Sequence, residues 1–349
     1  MTDPEFALGL EQTSADPLPV FENVTPELFD TEIRAQRKPV ILKGLVEDWV
    51  VTQAAKTSAQ SVAGLLQQHA SPHPVPVNLK EPGTGGRYFY TDSVKTCNFA
   101  RRQVPLAAIV TELLRQANVA EPMGVYMDAT PADTVLPGFS RQHEMPLAPS
   151  GTEPRIWLGN SARVAPHFDL SENIACVVSG QRRFLVFPPE QVANLYMGPI
   201  ENTPGGVPVS MVDPRDPDLT KFPNYAKALE HAMLAKLQPG DAIYIPRLWW
   251  HYVEASGPLN LLVNYWWDSP AISPLFSLIM ATRSIRRLPP ADRNALRAFF
   301  EHFVFSEQAP GTFDHIPEDA RGVMGVETPQ NDAAIQSTLK QMLSDLFEN

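Results

Sequence analysis

The sequence predicts a mainly β core with helical segments on either side. Two observations carry this. Between about residues 121 and 268, short runs rich in β-branched and aromatic residues are punctuated by Gly and Pro, a pattern of barrels and sandwiches rather than of βαβ units. Before and after that stretch, apolar residues recur at helical spacing. The 35 prolines are about twice the average share and are spread among these segments, which suits a loop-rich β architecture.

Residues 1–17 are polar and acidic without periodicity and are expected to form a mobile tail. Thr25-Pro26-Glu27-Leu28 reads as a helix start, with threonine as cap, proline at the first position and an acid in the first turn. That helix runs to about Arg37, and Pro39-Val40-Ile41-Leu42 follows as a buried strand. A second helix is expected from Ser58 to His69, irregular strands and loops over 71–100, and an amphipathic helix from about Pro105 to Ala117. Residues 18–120 thus form an N-terminal α/β extension. In the core, 121–270, the clearest strands are Val125-Tyr126-Met127, Ile156-Trp157-Leu158, Asn173 to Val178, Phe184 to Phe187, Ala242 to Ile245 and Leu259 to Trp267. Over 271–349 helices return. Pro289-Pro290 precedes a helical stretch to about Phe305, and Ile335, Leu339, Met342, Leu343 and Leu346 form a helical stripe. The stripe suits packing on the chain's own core or a subunit interface.

A formal charge of −11 argues against sequence-independent nucleic-acid binding, which needs a positive face to release counterions. Arg101-Arg102 and Arg286-Arg287 read as surface charge. Two cysteines, Cys97 and Cys176, make no disulfide framework. The first residues lack the basic and apolar regions of a signal peptide. No apolar run approaches the roughly eighteen residues of a membrane span. A reducing, cytoplasmic setting is the expectation.

Pro166-His167-Phe168-Asp169 holds the one His-x-acid pair in the chain. With 8 histidines and 39 acids in 349 residues, about one such pair arises by chance, so its surroundings must carry the case. In a strand, residues two apart share a face. His167 and Asp169 can therefore present an imidazole and a carboxylate together, with Asn173 beside them if the strand runs on. The chain is expected to turn at Ser179-Gly180 and return as Arg182-Arg183-Phe184-Leu185-Val186-Phe187, with Arg182 on the Phe184 and Val186 side. A third ligand is expected from a distant strand. Gln238-Pro239-Gly240-Asp241 is a turn signal, and His251 follows it within Trp249-Trp250-His251-Tyr252. Two histidines and one carboxylate form the facial triad of Fe(II) oxygenases, whereas structural zinc usually takes four ligands, often cysteines.

The His-Phe-Asp and Arg-Phe-Leu-Val-Phe-Pro-Pro-Glu block, with the turn-strand-Trp-Trp-His block, resembles the cupin-like JmjC hydroxylases, among them the factor-inhibiting-HIF type. Glu22-Asn23-Val24-Thr25-Pro26, Lys38 to Gly44 and Asp48-Trp49 are similar to that family's N-terminal segment, and the likeness runs with gaps to about Trp267. The resemblance implies a double-stranded β-helix (jelly-roll), with Fe(II) at His167, Asp169 and His251 and 2-oxoglutarate and O2 as cosubstrates. It implies that Tyr126 bonds the far carboxylate of 2-oxoglutarate, that Asn173 and Asn264 sit beside the cosubstrate or metal shell, and that Trp266 walls the pocket. Where the closest family pattern has a lysine for that carboxylate, this chain has Arg182, which can hold it bidentately and stays charged when buried. The implied activity is hydroxylation of a peptide or protein side chain with release of succinate and CO2. Small-molecule and RNA substrates, N-methyl-lysine demethylation, cupin metal chemistry without 2-oxoglutarate, and a non-catalytic binding role are the alternatives. The likeness also implies a homodimer through the C-terminal helices.

Overall fold

Two long strands organise the core. Glu172–Phe187 and Trp250–Trp267 pair antiparallel along their whole length, from Glu172 opposite Trp267 to Phe187 opposite Trp250. Each pairs with different strands along its two halves. Asn173–Cys176 also pairs with Ala242–Ile245, whereas Arg182–Val186 pairs with Met233–Leu237. On the other long strand, Asn260–Tyr265 pairs with Pro154–Gly159 and the stretch from Trp250 to Ala255 with Ala162–Phe168. Long strands bent between two facing sheets are a jelly-roll, the double-stranded β-helix. The computed structural model describes residues 15–270, 272–307, 311–325 and 328–348, which fall into one unit up to Pro274 and a second from Leu275.

The expected reversal at Ser179-Gly180 does not occur. The strand runs straight through, with register irregularities between Val177 and Gln181. Gly180 has φ +77°, and a Cβ there would lie 2.0 Å from Asn260 Oδ1. This glycine marks a bulge that bends a long strand between sheets rather than a turn that ends it.

The strands are buried on both faces, so their sequences read as continuous apolar runs. Ile174, Cys176 and Val178 point into one core with Ile156, Leu158, Val263 and Tyr265. Ala175, Val177, Phe184 and Val186 point into the other, with Ile243, Ile245, Val253 and Leu262. The second core is the interior of the barrel, and its polar residues make the site.

The N-terminal helices cover the first core. Thr25 Oγ1 accepts a hydrogen bond from the Leu28 amide at 3.2 Å, as the capping reading expects. The helical stretch ends at Arg37, held at φ +52°. Ser58 caps Ala59–His69 in the same way. Leu106–Gln116 buries Ile109, Val110 and Leu113. Val50–Thr57 is a helix that the sequence did not signal, because it opens on β-branched residues without a capping side chain. Within 71–100, Pro74–Lys80 is a seven-residue strand that pairs with Ala100–Pro105 and with Gly124–Tyr126. Of the expected tail, residues 1–14 lie outside the described residues, while Asp16–Pro17 pair parallel with Met233–Leu234.

The unit from Leu275 is helical. Its helices include Pro290–Phe300, continued by a π turn Glu301–Phe305, and Pro329–Glu348. Neither Pro290–Phe300 nor the π turn buries a residue, and Phe299 and Phe305 are 60% and 68% exposed. In the C-terminal stripe Ile335, Leu339 and Leu343 are half-buried and Met342 is exposed; the side chain of Leu346 lies outside the described residues. No helix among the described residues is long and apolar enough to cross a membrane.

Candidate metal centre

His167 and His251 are direct cross-strand partners in the Ala162–Phe168 and Trp250–Trp267 pair, with ring centroids 4.2 Å apart. Strand register therefore does what 84 positions of sequence could not. Asp169 lies just beyond the strand, which ends at Phe168, rather than within it. Its carboxylate still converges on the histidines, with Oδ2 3.7 Å from His251 Nε2. One ligand atom from each of the three lies within 4.8 Å of the others, and among the described residues this is the sole such His/Cys/Asp/Glu cluster.

Both imidazoles are held by their own backbone. His167 Nδ1 lies 2.9 Å from the Ala165 carbonyl and His251 Nδ1 3.1 Å from that of Trp249. Carbonyls only accept, so Nδ1 carries the proton and Nε2 keeps its lone pair for a metal. Burial, with His167 as a further cause, pushes the His251 pKa down to about 4, so the ring is a neutral ligand at physiological pH.

Asp169 is fixed by an outer chain of amides and indoles. Asn173 Nδ2 donates to Asp169 Oδ2 at 3.0 Å and Trp266 Nε1 donates to the same oxygen at 3.2 Å. Asn264 Nδ2 donates to Asn173 Oδ1 at 3.4 Å, and Trp157 Nε1 donates to Asn264 Oδ1 at 2.7 Å. Asn173, Asn264 and Trp266 thus gather round the triad. Trp157 was missed. Its signal is the alternation of Arg155 and Trp157 against buried Ile156 and Leu158, which sets the indole on the Asn264 face once Trp157 is known to oppose Leu262.

The narrow cavity behind the triad is lined by these residues, by Val164, Ala175, Phe184, Val253 and Leu262, and by Tyr126 and Arg182. Arg182 is 3% exposed. It hydrogen-bonds the Tyr126 hydroxyl, yet its Nε and Nη2 have no partner, and no carboxylate among the described residues pairs with it. Burial lowers the Arg182 pKa, and burial pushes Tyr126 up to about 12. A buried guanidinium with unused donors is costly unless an anion completes it. The donor set fits a divalent metal at one end of the cavity and a carboxylate at the other.

A jelly-roll with two histidines and a carboxylate converging inside it, faced by a buried cation, defines a cupin whose His/Asp/His cluster is able to hold a metal. The chain belongs to the cupin-like domain family, which it matches over residues 26–272. It is 30% identical over 203 residues to the lysine-specific demethylase JMJ31 of Arabidopsis thaliana, covering 55% of this chain and 36% of that protein. It is 36% identical over 119 residues to human HSPB1-associated protein 1, covering 34% and 24% of the two chains. It is 34% identical over 124 residues to Jumonji C domain-containing protein 5 of Drosophila melanogaster, covering 34% and 29%. The chain matches about a quarter to a third of the length of these curated relatives. Fold and relatives together make it a cupin-like protein of the JmjC kind.

Proposed function

We propose that the protein is an Fe(II)- and 2-oxoglutarate-dependent hydroxylase of a peptide or protein side chain. The observation that carries the reading is Arg182: a buried cation with two unused donors in the same narrow cavity as His167, Asp169 and His251. These three hold the iron, and three protein ligands leave coordination positions for cosubstrate and O2. Arg182 and Tyr126 take the distal carboxylate of 2-oxoglutarate. The chemistry that bound iron and cosubstrates supply is oxidation of a C–H bond to C–OH by O2, with 2-oxoglutarate converted to succinate and CO2.

The chain's own residues set the conditions. The Nδ1 bonds of the two histidines and the Asn173 and Trp266 bonds to Asp169 fix ligand orientation. Val164, Phe184 and Leu262 keep the cavity dry. A larger cavity of about 560 Å³ shares His167, Tyr126, Trp157 and Trp266 with this one, and its polar wall of Asn78, Arg101 and Asp128 suits the amide groups of a peptide.

The test is an anaerobic titration of apo protein with Fe(II) and 2-oxoglutarate, followed by the visible metal-to-ligand charge-transfer band. The band is expected in wild type, absent in His167→Ala, and shifted to higher 2-oxoglutarate in Arg182→Met. Iron binding without a band sinks the 2-oxoglutarate reading. The name of the Arabidopsis relative supports a second reading, lysine demethylation, which Glu201 in the larger cavity favours by attracting a cation. Mass spectrometry of peptides after turnover separates the two, since hydroxylation adds an oxygen and demethylation removes a methylene. The exposed aromatics of the C-terminal helices support a homodimer through them, read by sedimentation of the full chain against a Phe299→Glu, Phe305→Glu variant.

A further inference from the structure

Strand Ala162–Phe168 carries His167 towards its end, and its start borders a different pocket, of about 310 Å³. Arg163 and His167 are separated by about 13 Å at the rise of an extended strand. The pocket is built round Lys80, which is 3% exposed. Its ammonium donates to the Thr84 carbonyl at 2.9 Å, and no carboxylate among the described residues pairs with it. An ammonium has three protons to donate, so one carbonyl leaves a buried charge incompletely answered.

The other cations here are answered. Arg163 pairs with Asp213 at 3.1 Å, and Arg215 pairs with Glu254 at 2.6 Å. Lys80 and Arg163 are close enough that burial and then Arg163 lower the Lys80 pKa. Two glycines allow close packing at the wall. A Cβ on Gly124 would lie 2.7 Å from Tyr88 Oη and 2.9 Å from Lys80 Cβ, and one on Gly85, at φ +65°, would lie 3.2 Å from the Arg163 guanidinium. Glu81 and Glu121 also line the pocket, but both are exposed and neither pairs with Lys80. Cations inside and acids at the mouth suit a ligand with one compact anionic head and repel a polyanion.

We propose that this pocket is a second ligand site, distinct from the metal centre, that binds a small molecule through a single phosphate or carboxylate head group held by Lys80. The site backs onto the cavity of the metal centre. Ala162, in its wall, packs against Tyr126, and Ala255, also in its wall, is the cross-strand partner of Arg182. A test must therefore separate binding here from binding at Arg182.

Calorimetric titrations of the full chain with inorganic phosphate and with succinate, repeated in Arg182→Met, make that separation. The expected result is binding of at least one probe that survives Arg182→Met and weakens about tenfold or more in Lys80→Met, the loss of one charge-assisted contact. Phosphate alone assigns a phosphorylated ligand, succinate alone a carboxylate. Amide NMR of wild type gives a readout that needs no folded Lys80 variant: shifts are expected at Gly83 to Gly86 and Gly124. No binding of either probe at millimolar concentration, or binding and shifts that vanish in Arg182→Met, overturns the proposal.

Discussion

Glu172 and Arg182 lie on one strand, on either side of its bulge, and both are buried, at 0% and 3% exposure. Around Glu172 the fold supplies everything a buried charge needs. Tyr244 Oη donates to Oε2 at 2.5 Å, Arg247 Nε to Oε1 at 3.1 Å, and Arg37 forms a further ion pair. Around Arg182 it supplies one tyrosine and leaves two donors unused. The first is a closed network that ties the N-terminal extension to the barrel. The second is a socket. The same strand thus carries a charge completed by folding and a charge left for a ligand to complete.

Substitutions at the two sites should have opposite signatures. Glu172→Ala leaves the buried Tyr244 hydroxyl unpaired, while Arg37 and Arg247 keep partial contact with solvent, and is expected to lower stability by about 1–3 kcal/mol, read by urea unfolding. If it is neutral, the network is ornamental and the contrast fails. Arg182→Met is expected to leave stability unchanged or raise it, since an incompletely paired buried charge goes. Its cost appears in 2-oxoglutarate affinity, about 2–5 kcal/mol for one partner of a buried charge pair. Destabilisation without an affinity loss would make Arg182 a core residue like Glu172.

Smaller effects sharpen the picture. Asn173→Ala removes a bond to Asp169 and is expected to weaken Fe(II) binding about 10–100-fold, measured by competition with a chelator. The acid limb of stability tests Glu172 again. Burial pushes its carboxyl up, but the bonds from Tyr244, Arg37 and Arg247 outweigh that and hold it below the usual carboxylate range. A depressed carboxyl stabilises the fold fully above its unfolded pKa, about 4.3, and that share is lost as pH falls through the folded value. Wild type should therefore lose more stability than Glu172→Gln on acidification below that point. The smallest effect is expected for Trp157→Phe, which removes one hydrogen bond to Asn264, worth about 1 kcal/mol; Fe(II) affinity should fall less than in Asn173→Ala.

Local chemistry was legible where a short segment decides the outcome. Thr25 and Ser58 cap helices because the hydroxyl and the amide it accepts from are three residues apart. The reading of a turn at Ser179-Gly180 failed for the opposite reason. Gly180 is where a strand bends close to Asn260, and nothing in the local sequence reports a neighbour 80 positions away. His167 and Asp169 come together although the strand ends at Phe168, because both sides of that boundary face the same cavity.

By itself the sequence determined the kinds of donor available, two histidines and a carboxylate in aromatic and apolar surroundings, and a succession of helices, short strands and helices that fits a barrel or sandwich, with the jelly-roll implied only by the family resemblance. Periodicity and side-chain chemistry are properties of neighbours along the chain. Tertiary structure alone decided that His167 and His251 face one another across two strands, that Trp157 reaches Asp169 through Asn264 and Asn173, and that Glu172 is answered where Arg182 and Lys80 are not. Those are matters of register and burial, which exist only once distant strands have paired.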